Sequence, residues 1–132
     1  MGDAILAAMR EPAIDLVGRD TIKRLQALLG RASAVLTPDS GPAHMANAAG
    51  TPVIGLYAAT DSARSGPYSD RRYVIDRYDA AARRFMGKPA SALPWGKKVE
   101  VDGVMDLIEV EAVMEALDRL VADRAARTPS RP

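Results

Sequence analysis

The run Ser33-Ala34-Val35-Leu36-Thr37, followed at once by Pro38-Asp39-Ser40 and then by Gly41-Pro42, is the feature that most constrains how this chain can fold. A short apolar run with a β-branched residue reads as a buried strand. Pro38 and Asp39 break it. Proline is tolerated in the first turn of a helix, so Gly41-Pro42 can open one through Ala43 to Ala49. Gly50 is a natural C-terminal stop. Thr51-Pro52-Val53-Ile54-Gly55-Leu56-Tyr57 then reads as the next strand, and a proline at its start is acceptable. Strand, tight turn, helix and strand with short connections form the unit of a parallel sheet.

The flanking segments fit the same alternation. Ala4, Ile5, Ala8 and Met9 share one face of a short helix, which Glu11-Pro12 should end. Ala13 to Val17 is a short strand candidate closed by Gly18. Asp20-Thr21 is a cap signal, after which Ile22, Leu25, Leu28 and Leu29 recur at helical spacing until Gly30. Residues 58–70 read as a loop, and Arg72 to Ile75 as a further strand. Residues 77–103 show no clear period. Glu109 to Val121 is an amphipathic helix with Val110, Val113, Met114, Leu117, Leu120 and Val121 on one face. The expected fold is α/β, with a parallel sheet and helices on both faces. Residues 1–124 form the domain, and residues 125–132 a frayed, disordered tail.

A length of 132 residues suits one core, and the net charge of +1 names no partner. The chain has no cysteine and one histidine, which excludes disulfides, thiolate chemistry and a multi-histidine zinc site. No basic region precedes the apolar residues near Met1, so no signal peptide is expected. No apolar run approaches the roughly 20 residues of a membrane span. A soluble protein, at most peripheral to a membrane, is the expectation.

The turn from Asp39 to His44 carries the chemistry. Ligands of open α/β sheets sit beyond the carboxyl ends of the strands. A helix start offers free N–H groups and partial positive charge, hence an anion site. Gly41 lets a phosphate approach the backbone, Ser40 offers a hydroxyl, and His44 falls in the first turn. The same residues also read as plain structure: Asp39 or Ser40 as an N-cap, His44 as a packed side chain. Chemistry alone leaves both readings open.

Asp39-Ser40-Gly41-Pro42-Ala43-His44, then Ala46, Ala48-Ala49-Gly50-Thr51-Pro52, then Thr60-Asp61 and Gly66-Pro67-Tyr68, occur in an order that resembles the ADP-heptose:lipopolysaccharide heptosyltransferase family (glycosyltransferase family 9). The likeness runs from about Ile14 to about Leu120. It implies a Rossmann-like three-layer α/β/α domain, the C-terminal, donor-binding half of a GT-B glycosyltransferase. On that reading the first strand, the linker and the N-terminal acceptor domain are missing. The general base is expected in that missing domain, so no catalytic residue is expected in this chain.

The resemblance places Asp39, Ser40, Gly41 and His44 on the donor diphosphate and sugar. It sets the turn Gly18-Arg19-Asp20-Thr21 beside the base, and Thr60 and Asp61 on a neighbouring loop. Asp20 or Thr21 can equally be a helix cap, and Thr60 and Asp61 turn residues. Where this chain has Tyr57-Ala58-Ala59-Thr60-Asp61-Ser62, the family commonly has Phe-Gly-Pro-Thr-Asp-Pro. The implied partners are an ADP-heptose-like donor and a lipopolysaccharide core acceptor held by the missing domain. Also implied are a cytoplasmic location with peripheral contact to the inner membrane, and self-association through surface bared by the missing half. No cofactor, no metal and no nucleic acid are implied.

Nine basic residues against three acidic ones lie between Ser62 and Lys98. They read either as a patch for anionic lipid or as a solvated surface. Arg64 reads as a phosphate counter-charge or as a solvated side chain. Trp95 reads as an interface anchor or as a plug under a loop. A non-catalytic nucleotide-sugar module or an inactive truncated fragment stands as the alternative. A dinucleotide-binding oxidoreductase lacks its Gly-x-Gly-x-x-Gly run here. Nucleic-acid binding lacks interleaved basic and aromatic residues.

Overall fold

The computed structural model describes residues 2–127. Helix α1 spans Gly2–Ala8 and α2 Ile22–Arg31. They are followed by β1 (Val35–Pro38), α3 (Gly41–Ala48), β2 (Val53–Tyr57), α4 (Ser62–Ser65), β3 (Ile75–Asp76) and α5 (Tyr78–Ala81). A wide π-type turn at Ala82–Met86 and two 3₁₀ turns, Ala90–Ala92 and Val104–Leu107, lead to α6 (Val110–Arg127). Among the described residues the sheet has three strands in the order β1-β2-β3, all parallel.

Alternation along β2 divides the core. Successive strand residues point to opposite faces. Val53 packs with Leu29, Ala43 and Ala46, the buried side of α2 and α3. Ile54 packs with Tyr73, Ile75, Ala116 and Leu120, the inner side of α6. A third cluster, around Tyr78, Ala81, Val99 and Val104, builds the region that shows no sequence period. Gly55 in β2 is required by packing, because a Cβ there would stand 2.7 Å from the Tyr57 ring.

Buried polar groups fasten the elements. Thr51 Oγ1 donates to the Leu29 carbonyl at 2.8 Å, tying the end of α2 to the start of β2. Tyr73, only 2% exposed, donates its hydroxyl to Asp123 at 2.6 Å, and Arg72 reaches the same carboxylate at 2.9 Å. These bonds hold α6 against the strand that follows Tyr73.

Several expectations are corrected. Ala13 to Val17 forms no strand: Ile14 is 88% and Val17 71% exposed, and no strand among the described residues lies beside them. An extended run without a ladder has no hydrogen bonds to fix it. Gly30 lies inside α2, which continues to Arg31 before Ala32 turns extended. The third strand is Ile75–Asp76 rather than Arg72 to Ile75, because Arg71 to Val74 close a turn. The single apolar face of α6 divides in two. Val113, Ala116 and Leu120 face the sheet, whereas Val110, Met114, Leu117 and Val121 are exposed at helical spacing. The helix also carries Ala125 to Arg127, past the point where a tail was expected. Residues 128–132 of that tail lie outside the described residues.

Asp123→Ala should destabilise the protein by about 1–2 kcal/mol, because it leaves the buried Tyr73 hydroxyl without an acceptor. Adding Tyr73→Phe should recover part of the loss. Urea unfolding of the two variants checks this, and additive losses would contradict the pairing.

Candidate functional site

The parallel register of β1 and β2 sets Pro38 opposite Leu56. Two connections therefore leave the sheet side by side at its carboxyl edge. One is the turn into α3, starting at Asp39. The other is the loop after Tyr57. Asp39 and Thr60 line the same cleft of about 160 Å³, with Lys98 and Glu100 also on its wall. Lys98 and Glu100 pair at 3.4 Å. Val99 donates its N–H to the Ala59 carbonyl at 2.8 Å, so this strand-like strap is fixed beside the loop.

The turn is ordered without a side-chain cap on the helix, although the Ala43 N–H already donates to the Ser40 carbonyl at 3.1 Å and Pro42 has no N–H to offer. Ser40 occupies the N-cap position of α3, but its side chain makes no cap hydrogen bond. Its hydroxyl instead pairs with Thr37 Oγ1 at 2.8 Å. The Asp39 carboxylate accepts from Ser65 Oγ at 2.8 Å. Neither residue is thus the plain cap that the sequence also allowed. A Cβ built on Gly41 would meet no atom within 4 Å, so space stands open in front of the backbone there. His44 is exposed on the first turns of α3, and its imidazole has no hydrogen-bond or ion-pair partner among the described residues. Gly50 ends the helix region in the left-handed conformation, with φ of 75°.

The second loop is stitched onto the first. Asp61 caps α4 by accepting from the Ala63 N–H at 2.8 Å. Thr60 is 7% exposed. Ser65 links α4 to Asp39, and its carbonyl accepts from the Tyr57 hydroxyl at 3.3 Å. Asp76, at the end of β3, accepts from the Ser62 N–H at 3.3 Å, from the Ser62 hydroxyl, and from the Tyr78 N–H at 2.8 Å. Asn47 of α3 accepts from the Ser69 N–H at 3.2 Å. Gly66 permits the tight exit from α4, since a Cβ there would lie 2.5 Å from the Ser62 carbonyl oxygen. Pro67 is fully buried behind it, while Tyr68 is 76% exposed.

The structure thus brings Asp39 and Thr60 onto one cleft, with Ser40, Gly41 and His44 on the same turn as Asp39, whereas Asp61 lines a separate cavity with Arg64 and Trp95. Asp20 and Thr21 have only local bonds. Asp20 accepts from the Thr21 N–H at 2.7 Å, and Thr21 accepts from the Arg24 N–H at 3.3 Å as the N-cap of α2. Asp20 lines a separate depression of about 360 Å³ with Leu16, Arg19 and Leu28. Sequence reasoning missed Ser65, Asp76 and Asn47, which organise the loop. A polar residue directly after the apolar pair Val74-Ile75 was the available signal for Asp76. Trp95 is no plug, being 88% exposed with the Arg64 guanidinium 5.6 Å from its ring centre. Among the described residues no three His, Cys, Asp or Glu side chains are grouped to hold a metal ion. No helix there is long and apolar enough to cross a membrane.

Burial, reinforced by the charges of Asp39 and Asp76 and opposed by Arg71, pushes the Tyr57 hydroxyl from its usual 10.0 up to about 12. The folded state therefore keeps a proton that the unfolded chain gives up. This contribution is intact below pH 10 and is lost as the pH rises through about 12. Tyr73 and Tyr78 shift in the same direction, mainly through burial. Tyr57→Phe should flatten the alkaline loss of stability, as measured by unfolding at a series of pH values. Gly66→Ala should cost about 1–3 kcal/mol through overpacking against Ser62, and an unchanged urea midpoint would show that this exit is not tight.

Comparison with known proteins shows the family of the chain. The profile of glycosyltransferase family 9 (heptosyltransferase) matches residues 2–95. The chain is 42% identical over 106 residues to the lipopolysaccharide core heptosyltransferase OpsX of Haemophilus influenzae, covering 80% of this chain and 30% of that protein. It is 33% identical over 72 residues to the lipooligosaccharide heptosyltransferase 2 of the same organism, covering 54% and 21%. It is 41% identical over 59 residues to the lipopolysaccharide heptosyltransferase 3 of Escherichia coli, covering 45% and 17%. The chain thus spans at most 30% of the length of these relatives. No solved structure gives a significant match. The profile match extends across both stitched loops and the whole of β1, α3 and β2, and the chain belongs to glycosyltransferase family 9, the heptosyltransferases.

Proposed function

We propose that this chain is the donor-binding part of a heptosyltransferase, holding an ADP-heptose-like nucleotide sugar at the turn from Asp39 to His44. The observation that carries the reading is the uncapped start of α3, with open space at Gly41 and an unpartnered His44 one turn on. A diphosphate supplies the acceptors that such a helix start lacks, and the helix dipole favours its charge. Asp39 accepts hydrogen bonds and donates none when ionised, so its role lies with sugar hydroxyls rather than with phosphate. Thr60 borders the same ligand from the second loop, which Asp61 shapes by capping α4. Asp20 and Thr21, at the start of α2, serve the nucleoside end.

In the proposed reaction, an acceptor hydroxyl of the lipopolysaccharide core attacks the anomeric carbon of the donor. The bond from that carbon to the phosphate oxygen breaks, and its electron pair leaves on the nucleoside diphosphate. The helix dipole, the Gly41 N–H, the Ser40 hydroxyl on turning away from Thr37, and His44 stabilise the charge that grows there. The base that takes the hydroxyl proton belongs to a second, acceptor-holding domain of a GT-B enzyme. This chain supplies a Rossmann-like α/β/α half to that enzyme, working in the cytoplasm beside the inner membrane. The exposed stripe Val110, Met114, Leu117 and Val121 supports contact with another copy or domain, since apolar patches of this kind mark interaction surfaces.

Calorimetric titration of the chain with ADP and an ADP-sugar tests the donor reading. Saturable binding is expected, and His44→Ala should weaken it about tenfold, the effect of losing one hydrogen bond to a charged group. Absence of binding at millimolar ligand would refute the site. Unchanged affinity in His44→Ala would remove that residue from it.

A further inference from the structure

We propose that a second cavity, between α4 and the segment from Ala90 to Gly96, binds a single anionic sugar. The cavity measures about 230 Å³ and is lined by Asp61, Arg64, Tyr78, Ser91 and Trp95, among others. It lies below the roughly 300–1,000 Å³ usual for drug-sized ligands, so its size suits one sugar ring rather than a nucleotide.

Arg64 supplies the anion site. Its Nε is buried and has no hydrogen-bond partner, and none of its other donors is taken by protein groups among the described residues. The guanidinium is held by packing and by the Trp95 ring, 5.6 Å away. A planar fork of unused donors matches a carboxylate or a phosphate in two-point contact. Trp95 supplies the apolar surface. An indole 88% exposed beside a cavity is costly to leave in water, and a sugar presents a C–H face to it. Asp61 and Ser91 supply partners for hydroxyls. One oxygen of Asp61 accepts from Ala63, which leaves the other for a ligand donor.

The combination selects against simpler ligands. A bare phosphate would gain Arg64 but meet the Asp61 carboxylate without a hydroxyl to offer it. A neutral sugar would leave the Arg64 donors unused. A ligand with an anion at one end and hydroxyls at the other satisfies both. Binding here is independent of which nucleotide the Asp39 turn takes, because none of the groups named lines the Asp39 cleft.

Trp95 is the only tryptophan of the chain, so its fluorescence reports this cavity directly. The chain is titrated with glucuronate, glucose 6-phosphate, glucose and inorganic phosphate. A saturable change is expected with glucuronate or glucose 6-phosphate, and the stronger of the two identifies the anion as carboxylate or phosphate. Glucose and inorganic phosphate should bind at least about tenfold more weakly, and Arg64→Met should weaken the anionic sugar about tenfold or more. The Arg64 side chain makes no hydrogen bond among the described residues, so the variant should keep its far-ultraviolet dichroism. Calorimetry of Trp95→Ala, altered at an exposed position, gives an independent check and should show the same loss. Three results would overturn the proposal: no saturable change with either anionic sugar, equal binding of inorganic phosphate, or binding indifferent to both substitutions.

Discussion

Parallel pairing of β1 with β2 is the constraint on which the site depends. Its register sets Pro38 beside Leu56, so the chain segments that follow emerge from the same edge. Everything polar in the site then follows from proximity. Asp39 reaches Ser65, Tyr57 reaches the Ser65 carbonyl, and Asp76 at the end of the third strand reaches Ser62. A slip of one residue in that pairing would send each strand's apolar set to the opposite face. It would also separate Asp39 from Ser65. The short apolar strands thus act at a distance on chemistry they do not touch.

The polar ties divide the labour between turn and loop. Ser40 and Thr37 satisfy each other, and Asp39 is satisfied by Ser65, so the first turn of α3 is shaped without being capped by a side chain. Had Ser40 capped the helix, the same sequence would have closed the helix start that we propose takes an anion. Gly66 makes the arrangement compact, because the chain passes within a bond's reach of the Ser62 carbonyl as it leaves α4.

Much of this was legible in the residues. Pro42 behind Gly41, with Gly50 eight residues later, marked α3 closely, since both residues act through local backbone geometry. Thr21 capped α2 as its position suggested. What local rules could not reveal was tertiary. Ala13 to Val17 has strand composition, yet composition supplies no neighbouring strand. The apolar residues of α6 share a period, but only the packed helix shows that Val113 and Leu120 turn inward while Met114 and Val121 stay in water. Residues 77–103 fold around Tyr78, Val99 and Val104, which lie far apart in sequence and carry no common spacing. Of the site, the turn was visible as a motif, whereas Ser65 and Asp76 were not, because a serine or aspartate gains meaning only from what stands opposite it.

The central claim is that the Asp39 turn and the Thr60–Ser65 loop act as one anion-binding surface. Amide chemical shifts of the isotopically labelled chain during titration with ADP test it most directly. The account predicts saturable shifts at Gly41 and His44 together with Ser65, all fitting one dissociation constant. Shifts confined to the Asp20 region, or separate constants for turn and loop, would contradict it.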